Sequence, residues 1–304
     1  MDLLILAGGM GSRYGGLKQI EEVDEYGNFI IDYSIFDAIR CGYDRVVFII
    51  NEDNFEIFKS TIGKRIENKI DVEYVFQTTN NIPKKFKIPI SRSKPFGTAH
   101  AILCAKNKIK GDFVVINADD FYGFNSLKKA SEFLTKSKNQ NEYALVGYKL
   151  ENTVLDGSKV KRGVCEAEEA SLKRILECEI DQNGNKYSAR RIDNFICEND
   201  RSIEVSKDTL VSMNLFAFHS NVFKFLQAFF EKFLFENKDD LSSCEFYITT
   251  FLSEVIQKKL ATVTILPTTS KWIGMTYRQD KKIVTSELKE LTKQRIYPEN
   301  LWNN

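Results

Sequence analysis

The 304-residue chain carries almost no net charge: 43 basic and 42 acidic side chains leave a formal +1. Proteins that hold nucleic acid or a membrane surface by electrostatics carry a basic excess, so this balance argues against both partners. The chain has only two histidines, His100 and His219, far apart in sequence. Its six cysteines, Cys41, Cys104, Cys165, Cys178, Cys197 and Cys244, include no C-x-x-C pair. That spacing lacks the usual zinc patterns, and most of these cysteines lie in apolar runs, as reduced core residues do. Long apolar runs are missing too. Val46-Val47-Phe48-Ile49-Ile50 is among the longest, whereas a bilayer span takes about 20 residues. No secretory leader precedes the first apolar run, which gives the expectation of a cytoplasmic protein. No internal repeat or low-complexity linker is visible. What is present is a hydrophobic content of 43%, enough for a sizeable core, in a length that suits one large α/β domain or two ordinary ones.

The most informative stretch is Leu4-Ile5-Leu6-Ala7-Gly8-Gly9-Met10-Gly11-Ser12-Arg13-Tyr14-Gly15-Gly16-Leu17-Lys18. An apolar strand runs into a turn with three glycines in four positions. Glycine lets backbone N–H groups approach a ligand, and successive N–H groups at such a turn form an anion-binding concavity. Arg13 and Lys18 add the charge to neutralise phosphates. The reading is a triphosphate site. Two better-known phosphate loops do not fit. The dinucleotide fingerprint G-x-G-x-x-G fails at Tyr14, and no acidic ribose contact follows the second strand. The Walker pattern fails because Leu17 separates Gly16 from Lys18 and Gln19 follows the lysine.

Beyond the loop, apolar strand-like runs alternate with helical patterns. Ile31, Ile35 and Ile39 repeat at helical spacing, with Asp32 as expected N-cap and Gly42 as the stop. Arg45–Ile50, Val72–Gln77, Phe113–Ile116 and Tyr143–Tyr148 read as strands, and Thr98–Lys108 as a helix. The stretch Asn80–Pro95, with three prolines, reads as a loop. Such alternation implies parallel βαβ units, whose ligands bind beyond the carboxyl ends of the strands. The glycine loop, Gln77 and Asp119 all fall at such ends. After about residue 155 the pattern changes. Gly163–Ala167, Leu172–Cys178 and Arg190–Phe195 are short and strand-like, with a turn signal at Asn183-Gly184. Leu210–Phe218 is a further strand, Asn221–Phe235 and Ser243–Lys258 are helices, Thr262–Leu266 is a strand, and Lys281–Lys293 is a charged terminal helix. The phenylalanines of Asn221–Phe235 are read as core packing. Asp119 and Asp120 stand together at the end of a buried strand, where two carboxylates have few structural reasons to be, and Mg²⁺ favours one or two carboxylates with phosphate and water.

The glycine stretch resembles the signature G-G-x-G-[ST]-R-x-x-x-x-x-x-x-P-K of nucleotidyltransferases that activate sugar 1-phosphates. Its Gly-Gly-Leu-Lys-Gln variant is similar to a subgroup of bacterial nucleotidyltransferases. The chain departs in having Gly16-Leu17 where the family has a proline before the lysine, and a shorter Arg-to-Lys spacing. The resemblance implies a Rossmann-like α/β fold (GT-A-like), with a mixed, mainly parallel sheet flanked by helices and a β-hairpin-rich substrate side. It implies one nucleotidyltransferase domain over 1–304, with a nucleotide-binding half (1–150) and an acceptor-binding half (151–304). Pro95-Phe96-Gly97-Thr98-Ala99 resembles the segment that holds the nucleobase, and Gln77 matches a glutamine that often reads a pyrimidine. The resemblance gives Arg13 and Lys18 the catalytic roles. It gives Leu6, Ala7, Gly8, Gly9, Gly11, Ser12, Gln77, Pro95, Gly97 and Thr98 contact with the nucleotide. Asp119 takes Mg²⁺, with Asp120 beside it.

On the acceptor side, Arg162-Gly163-Val164 resembles the Y-G-V strand, Ile175-Leu176-Glu177-Cys178 the [IV]-x-E-K segment, and Asn214-Leu215-Phe216 the N-x-G strand. This places Gly163, Glu177 and Asn214 against the acceptor. Cys178 stands where the family lysine contacts the sugar phosphate. Lys271-Trp272-Ile273-Gly274-Met275-Thr276 resembles W-x-D-x-G-T, with Gly274 in place of the aspartate that is the second metal ligand. Either Asp119, phosphates and water hold Mg²⁺, or another carboxylate such as Asp280 substitutes. The implied reaction joins a nucleoside triphosphate, UTP or CTP, to a sugar 1-phosphate or related phosphomonoester and releases pyrophosphate. The competing reading is a non-catalytic nucleotide or nucleotide-sugar-binding regulator, which the loss at Gly274 favours. The oligomeric state stays open, a homo-oligomer included.

Overall fold

The computed structural model describes residues 1–302 except 10–19, 80–81, 84, 93, 155–158, 185, 193–201, 276–277 and 279. The strands are β1 (Asp2–Leu6), β2 (Arg45–Ile50), β3 (Asp71–Phe76), β4 (Phe113–Asn117), β5 (Asp120–Phe121), β6 (Glu142–Lys149), β7 (Val160–Glu168), β8 (Ser171–Asn183), β9 (Lys186–Arg191), β10 (Ser202–Ile203), β11 (Leu210–Phe218), β12 (Thr262–Thr268) and β13 (Ile273–Gly274). The principal helices are α1 (Ile30–Arg40), α2 (Thr98–Cys104), α3 (Phe124–Lys136), α4 (Val222–Glu236), α5 (Ile248–Gln257) and α6 (Asp280–Lys293).

β3, β2, β1 and β4 lie side by side in parallel. β11 then runs antiparallel between β4 and β6, and β12 runs parallel to β6. Helices cover both faces, so the central strands read as near-continuous apolar runs instead of alternating. In β1, Leu3 and Ile5 enter one core with α1 and α3, while Leu4 enters the other with α2, α4 and α5. The expected mixed sheet flanked by helices is therefore present, parallel across β3-β2-β1-β4 and β6-β12 and antiparallel in its remaining pairings. The chain after residue 159 supplies the antiparallel extension β7-β8-β9. The Asn183-Gly184 turn lies in the β8–β9 hairpin, with Gly184 at φ +60°. Residues 193–195 of the expected strand Arg190–Phe195 lie outside the described residues.

Several boundaries differ from the sequence reading. Asp32 is not the N-cap of α1. Phe29 holds that place and Asp32 lies three residues inside, where its Oδ2 accepts from Phe29 N at 2.7 Å. The carboxylate caps the helix start from its first turn. Gly42 does take positive φ after α1. α2 ends at Cys104 and passes into a 3₁₀ turn, Ala105–Asn107. α5 starts only at Ile248, because the residues before it are extended against Phe96. α3, with no polar side-chain cap at its start, was not foreseen as a helix.

Candidate active site

β1 ends between β2 and β4, and this places the start of the glycine loop, Ala7 to Gly9, at the carboxyl edge of the parallel strands. Ala7 N donates to Ile49 O at 2.8 Å, and Ala118 N donates to Leu6 O at 3.0 Å. The start of the loop is thus tied to the end of β2 on one side and to the residue before Asp119 on the other. Gly8 lies against Gln77, and a Cβ on it would come within 3.1 Å of Gln77 Oε1. Gly9 is exposed with open space around it. Gly11, Ser12, Arg13 and Lys18 lie outside the described residues.

Gln77 and Gly97, twenty positions apart, are bonded directly: Gln77 Nε2 donates to Gly97 O at 3.0 Å. Gln77 N also donates to Ile50 O, so both ends of the side chain's lever are fixed. Gly97 has φ +89°, and a Cβ there would sit 2.7 Å from Phe246 O. Glycine is therefore demanded by the backbone of Phe246, which also bonds Phe96 O (2.7 Å) and Ala99 N (3.0 Å). Thr98 Oγ1 accepts from Ile248 N at 3.0 Å, and so satisfies the first turn of α5 instead of its own helix. Pro95 is held by Arg92, a buried side chain whose guanidinium donates to Pro95 O, Leu241 O and Cys244 O and stacks on Phe96. The Pro95–Thr98 segment is rigid for these nonlocal reasons.

The carboxylates come next along the edge. Asp119 O accepts from Met275 N at 3.1 Å, and β5 pairs with β13 so that Asp120 stands opposite Gly274. Asp120 is buried; its Oδ2 accepts from Asn117 Nδ2 at 2.9 Å and lies 3.2 Å from the Tyr122 hydroxyl. Tyr122 also bonds Met213 O at 2.9 Å, one residue before Asn214. A Cβ on Gly274 would come 2.5 Å from the Trp272 ring and 2.7 Å from Asp120 Oδ1. The room that an aspartate at 274 would take is filled by Trp272 and the carboxylate of Asp120. Asp280 opens α6. Among the described residues no group of three or more His, Cys, Asp or Glu is arranged to hold a metal. Two oxygen-bearing carboxylates are nonetheless the protein share that Mg²⁺ takes when phosphates and water complete its shell.

On the acceptor side, Gly163 of β7 stands opposite Glu177 of β8 and Ser212 of β11. A Cβ on Gly163 would meet Ile175 Cγ2 at 2.6 Å. Asn214 has φ +61° inside an irregularity of the β11–β6 ladder, a conformation uncommon outside glycine. Arg162 stands opposite Cys178. Its guanidinium donates to Thr153 Oγ1 (3.2 Å), Thr153 O and Lys161 O (2.8 Å), and stacks on Trp272 at 4.7 Å. Burial lowers its pKa to about 10 against the attraction of Asp120. The Cys165 thiol is pushed up to about 12 by burial and then by Glu177, and Cys104 to about 12 by burial. Thiols so protonated are not nucleophiles.

Tyr122 and Arg162 were not singled out from sequence. Their only signal was position, directly after Asp-Asp and directly before Gly163. A surface depression of about 1010 Å³, lined by Ser171, Gln257 and Thr262, lies at the amino end of β12 and contains none of these residues.

Comparison with known proteins bears on the fold and the family. A curated relative, the bifunctional protein GlmU of Methanococcus maripaludis, is 29% identical over 122 residues, 39% of this chain. The match spans 25% of that protein's length. Among solved structures, the inositol-1-phosphate CTP transferase from T. maritima superposes with a TM-score of 0.61 at 13% identity, covering 95% of this chain and 96% of that one. A Bacillus anthracis protein assigned as a glucose-1-phosphate thymidylyltransferase gives 0.60 at 14%, with the same coverage of 95% and 96%. At such identities these structures speak to the fold. The model of the nucleotidyl transferase family matches residues 3–273. This chain belongs to the nucleotidyl transferase family, a family of enzymes that transfer nucleotidyl groups.

Proposed function

We propose that the protein joins a nucleoside triphosphate, UTP or CTP, to a sugar 1-phosphate or related phosphomonoester in the presence of Mg²⁺, giving an NDP-sugar-type product and pyrophosphate. One observation carries the reading. Leu6, Ala7 and Gly8 lie between Gln77–Gly97 on one side and Asp119–Asp120 on the other. A nucleotide whose phosphates follow the glycine loop has its base on the first pair and its α-phosphate by the second. With Nε2 committed to Gly97 O, Gln77 keeps its Oε1 for a pyrimidine edge. The T. maritima neighbour, by its description, uses CTP and inositol 1-phosphate, a nucleotide and acceptor of this class.

In this reading an oxygen of the acceptor phosphate attacks the α-phosphorus and pyrophosphate leaves in line. The nucleophile is already ionised at neutral pH, so no general base is needed and positioning carries the rate. Arg13 stabilises charge on the β- and γ-phosphates, and Lys18 holds the α-phosphate and the acceptor phosphate. Gly9, Gly11 and Ser12 offer backbone N–H groups to the phosphates, while Pro95, Gly97 and Thr98 form a rigid wall for the base. Gly163, Glu177 and Asn214 line the acceptor. Asp119 and Asp120 hold Mg²⁺, which when bound neutralises phosphate charge. Asp120 takes the part of the carboxylate missing at Gly274, since its Oδ1 fills that space. This weakens the support that Gly274 lends to a regulatory, non-catalytic role.

The test is pyrophosphate release with Mg²⁺ from each common nucleoside triphosphate against sugar 1-phosphates and small alcohol phosphates. Release dependent on one triphosphate and one acceptor is the expected result. Silence across the panel, with tight nucleotide binding by calorimetry, would favour the regulator.

A further inference from the structure

Arg162 is an arginine in search of an anion. Its guanidinium carries five N–H donors, and three of them find oxygens, on Thr153 twice and on Lys161 once. All three acceptors are neutral. Among the described residues no carboxylate lies within salt-bridge distance of it; Asp120 attracts it from farther off, and a half-buried cation compensated only at that range is costly. Arg92 shows the contrasting case. It too is buried among carbonyls, but it is enclosed and spent on holding Pro95 against Leu241 and Cys244.

The surroundings of Arg162 link it to the carboxylate edge of the site. It stacks on Trp272, whose ring edge abuts Gly274, whose other neighbour is Asp120. Across the β7–β8 ladder it stands opposite Cys178, a buried cysteine. The hairpin thus carries a cation on β7 and none at the facing position on β8.

Resting on the nucleotidyltransferase reading above, we propose that Arg162 binds the phosphate group of the acceptor through the two N–H donors that have no partner among the described residues. A planar fork suits a phosphate better than a point charge does. The stack on Trp272 and the bonds to Thr153 hold the fork before the ligand arrives. No bond is made or broken by Arg162; it orients the attacking phosphate beside Asp119 and Asp120.

Inorganic phosphate is the probe, titrated calorimetrically into the full-length chain with Mg²⁺ and saturating CTP or UTP, so that the glycine loop is already filled. Wild type, Arg162→Gln and Arg162→Lys are compared, each after its melting temperature shows that it is folded. The expected result is a loss of phosphate affinity of about 10- to 100-fold in Arg162→Gln. Arg162→Lys should lose less, and nucleotide affinity should stay within about twofold in all three. Equal phosphate affinity in wild type and Arg162→Gln, or no phosphate binding by wild type, overturns the proposal. Failure of every nucleotide to bind sinks the nucleotidyltransferase reading instead. The phosphate comparison, repeated without nucleotide, then still decides whether Arg162 is an anion site.

Discussion

Restoring an aspartate at position 274 should damage this protein. On sequence pattern alone Gly274→Asp looks like a repair, since family members carry a metal-binding aspartate there. The structure reverses that expectation. A Cβ on residue 274 would lie 2.5 Å from two carbons of the Trp272 ring and 2.7 Å from Asp120 Oδ1. Real Cβ atoms do not approach so closely, and a ring packed under the Arg162 guanidinium does not swing freely. Overpacking of this kind typically costs about 1–3 kcal/mol, which is the expectation for Gly274→Ala. Gly274→Asp adds a second carboxylate against Asp120, and two like charges roughly 4 Å apart repel by about 4 kcal/mol at a near-surface effective dielectric. In a chain of this size each kcal/mol lowers the melting temperature by about 2 °C. Gly274→Ala should therefore melt about 2–6 °C below wild type, and Gly274→Asp further below that. Removing the charge conflict with Asp120→Asn should return part of the loss in the Gly274→Asp background. Displacing Asp120 should also raise the Mg²⁺ concentration needed in the pyrophosphate-release assay severalfold. A Gly274→Asp protein as stable as wild type and faster in turnover would refute the argument. It would mean that Trp272 and Asp120 yield easily and that Asp120 does not fill the role of residue 274.

Gly97→Ala meets both a φ of +89° and the Phe246 carbonyl at 2.7 Å, so thermal melting should show a loss of about 2 kcal/mol or more, with weaker nucleotide binding by calorimetry. Asp37 is buried at the end of the Tyr297 hydroxyl (2.6 Å), and burial raises its pKa to about 7 in spite of Tyr297 and Arg40. A raised acid favours the folded state while protonated, so its contribution is complete below the unfolded value near 4 and is lost as pH rises through about 7. Asp37→Asn should thus gain stability relative to wild type between pH 5 and 8, on the order of 2–4 kcal/mol by the free energy of a three-unit shift. Parallel melting curves of the two proteins across that range would contradict it. Arg13→Ala should lower turnover by orders of magnitude with an unchanged melting temperature, and near-normal turnover would remove Arg13 from catalysis.

Much of the framework was legible in local sequence. Arg45–Ile50 and Leu210–Phe218 fall where apolar runs placed them, because a strand covered on both faces reads as a near-continuous apolar run. Glycines at 42 and 184 take the left-handed conformations their turns require, since that preference is set by the residue itself. The family, too, was visible in the glycine stretch and in the order of the later motifs. What sequence could not supply is which residues meet. Gln77 reaches Gly97 across a proline-bearing loop. Thr98 serves the start of α5 instead of its own helix, and Phe246 dictates the glycine at 97. The consequence of Gly274 could be weighed only once β13 was seen paired with β5, with Asp120 in the space the missing side chain would have used. The same holds for Arg162, unremarkable in the sequence until the β7–β8 register set it opposite Cys178 and its stack on Trp272 was seen. Local propensity is a property of a few neighbouring residues. The company a side chain keeps depends on strand register and packing between segments distant in sequence, and those are decided only when the whole sheet is assembled.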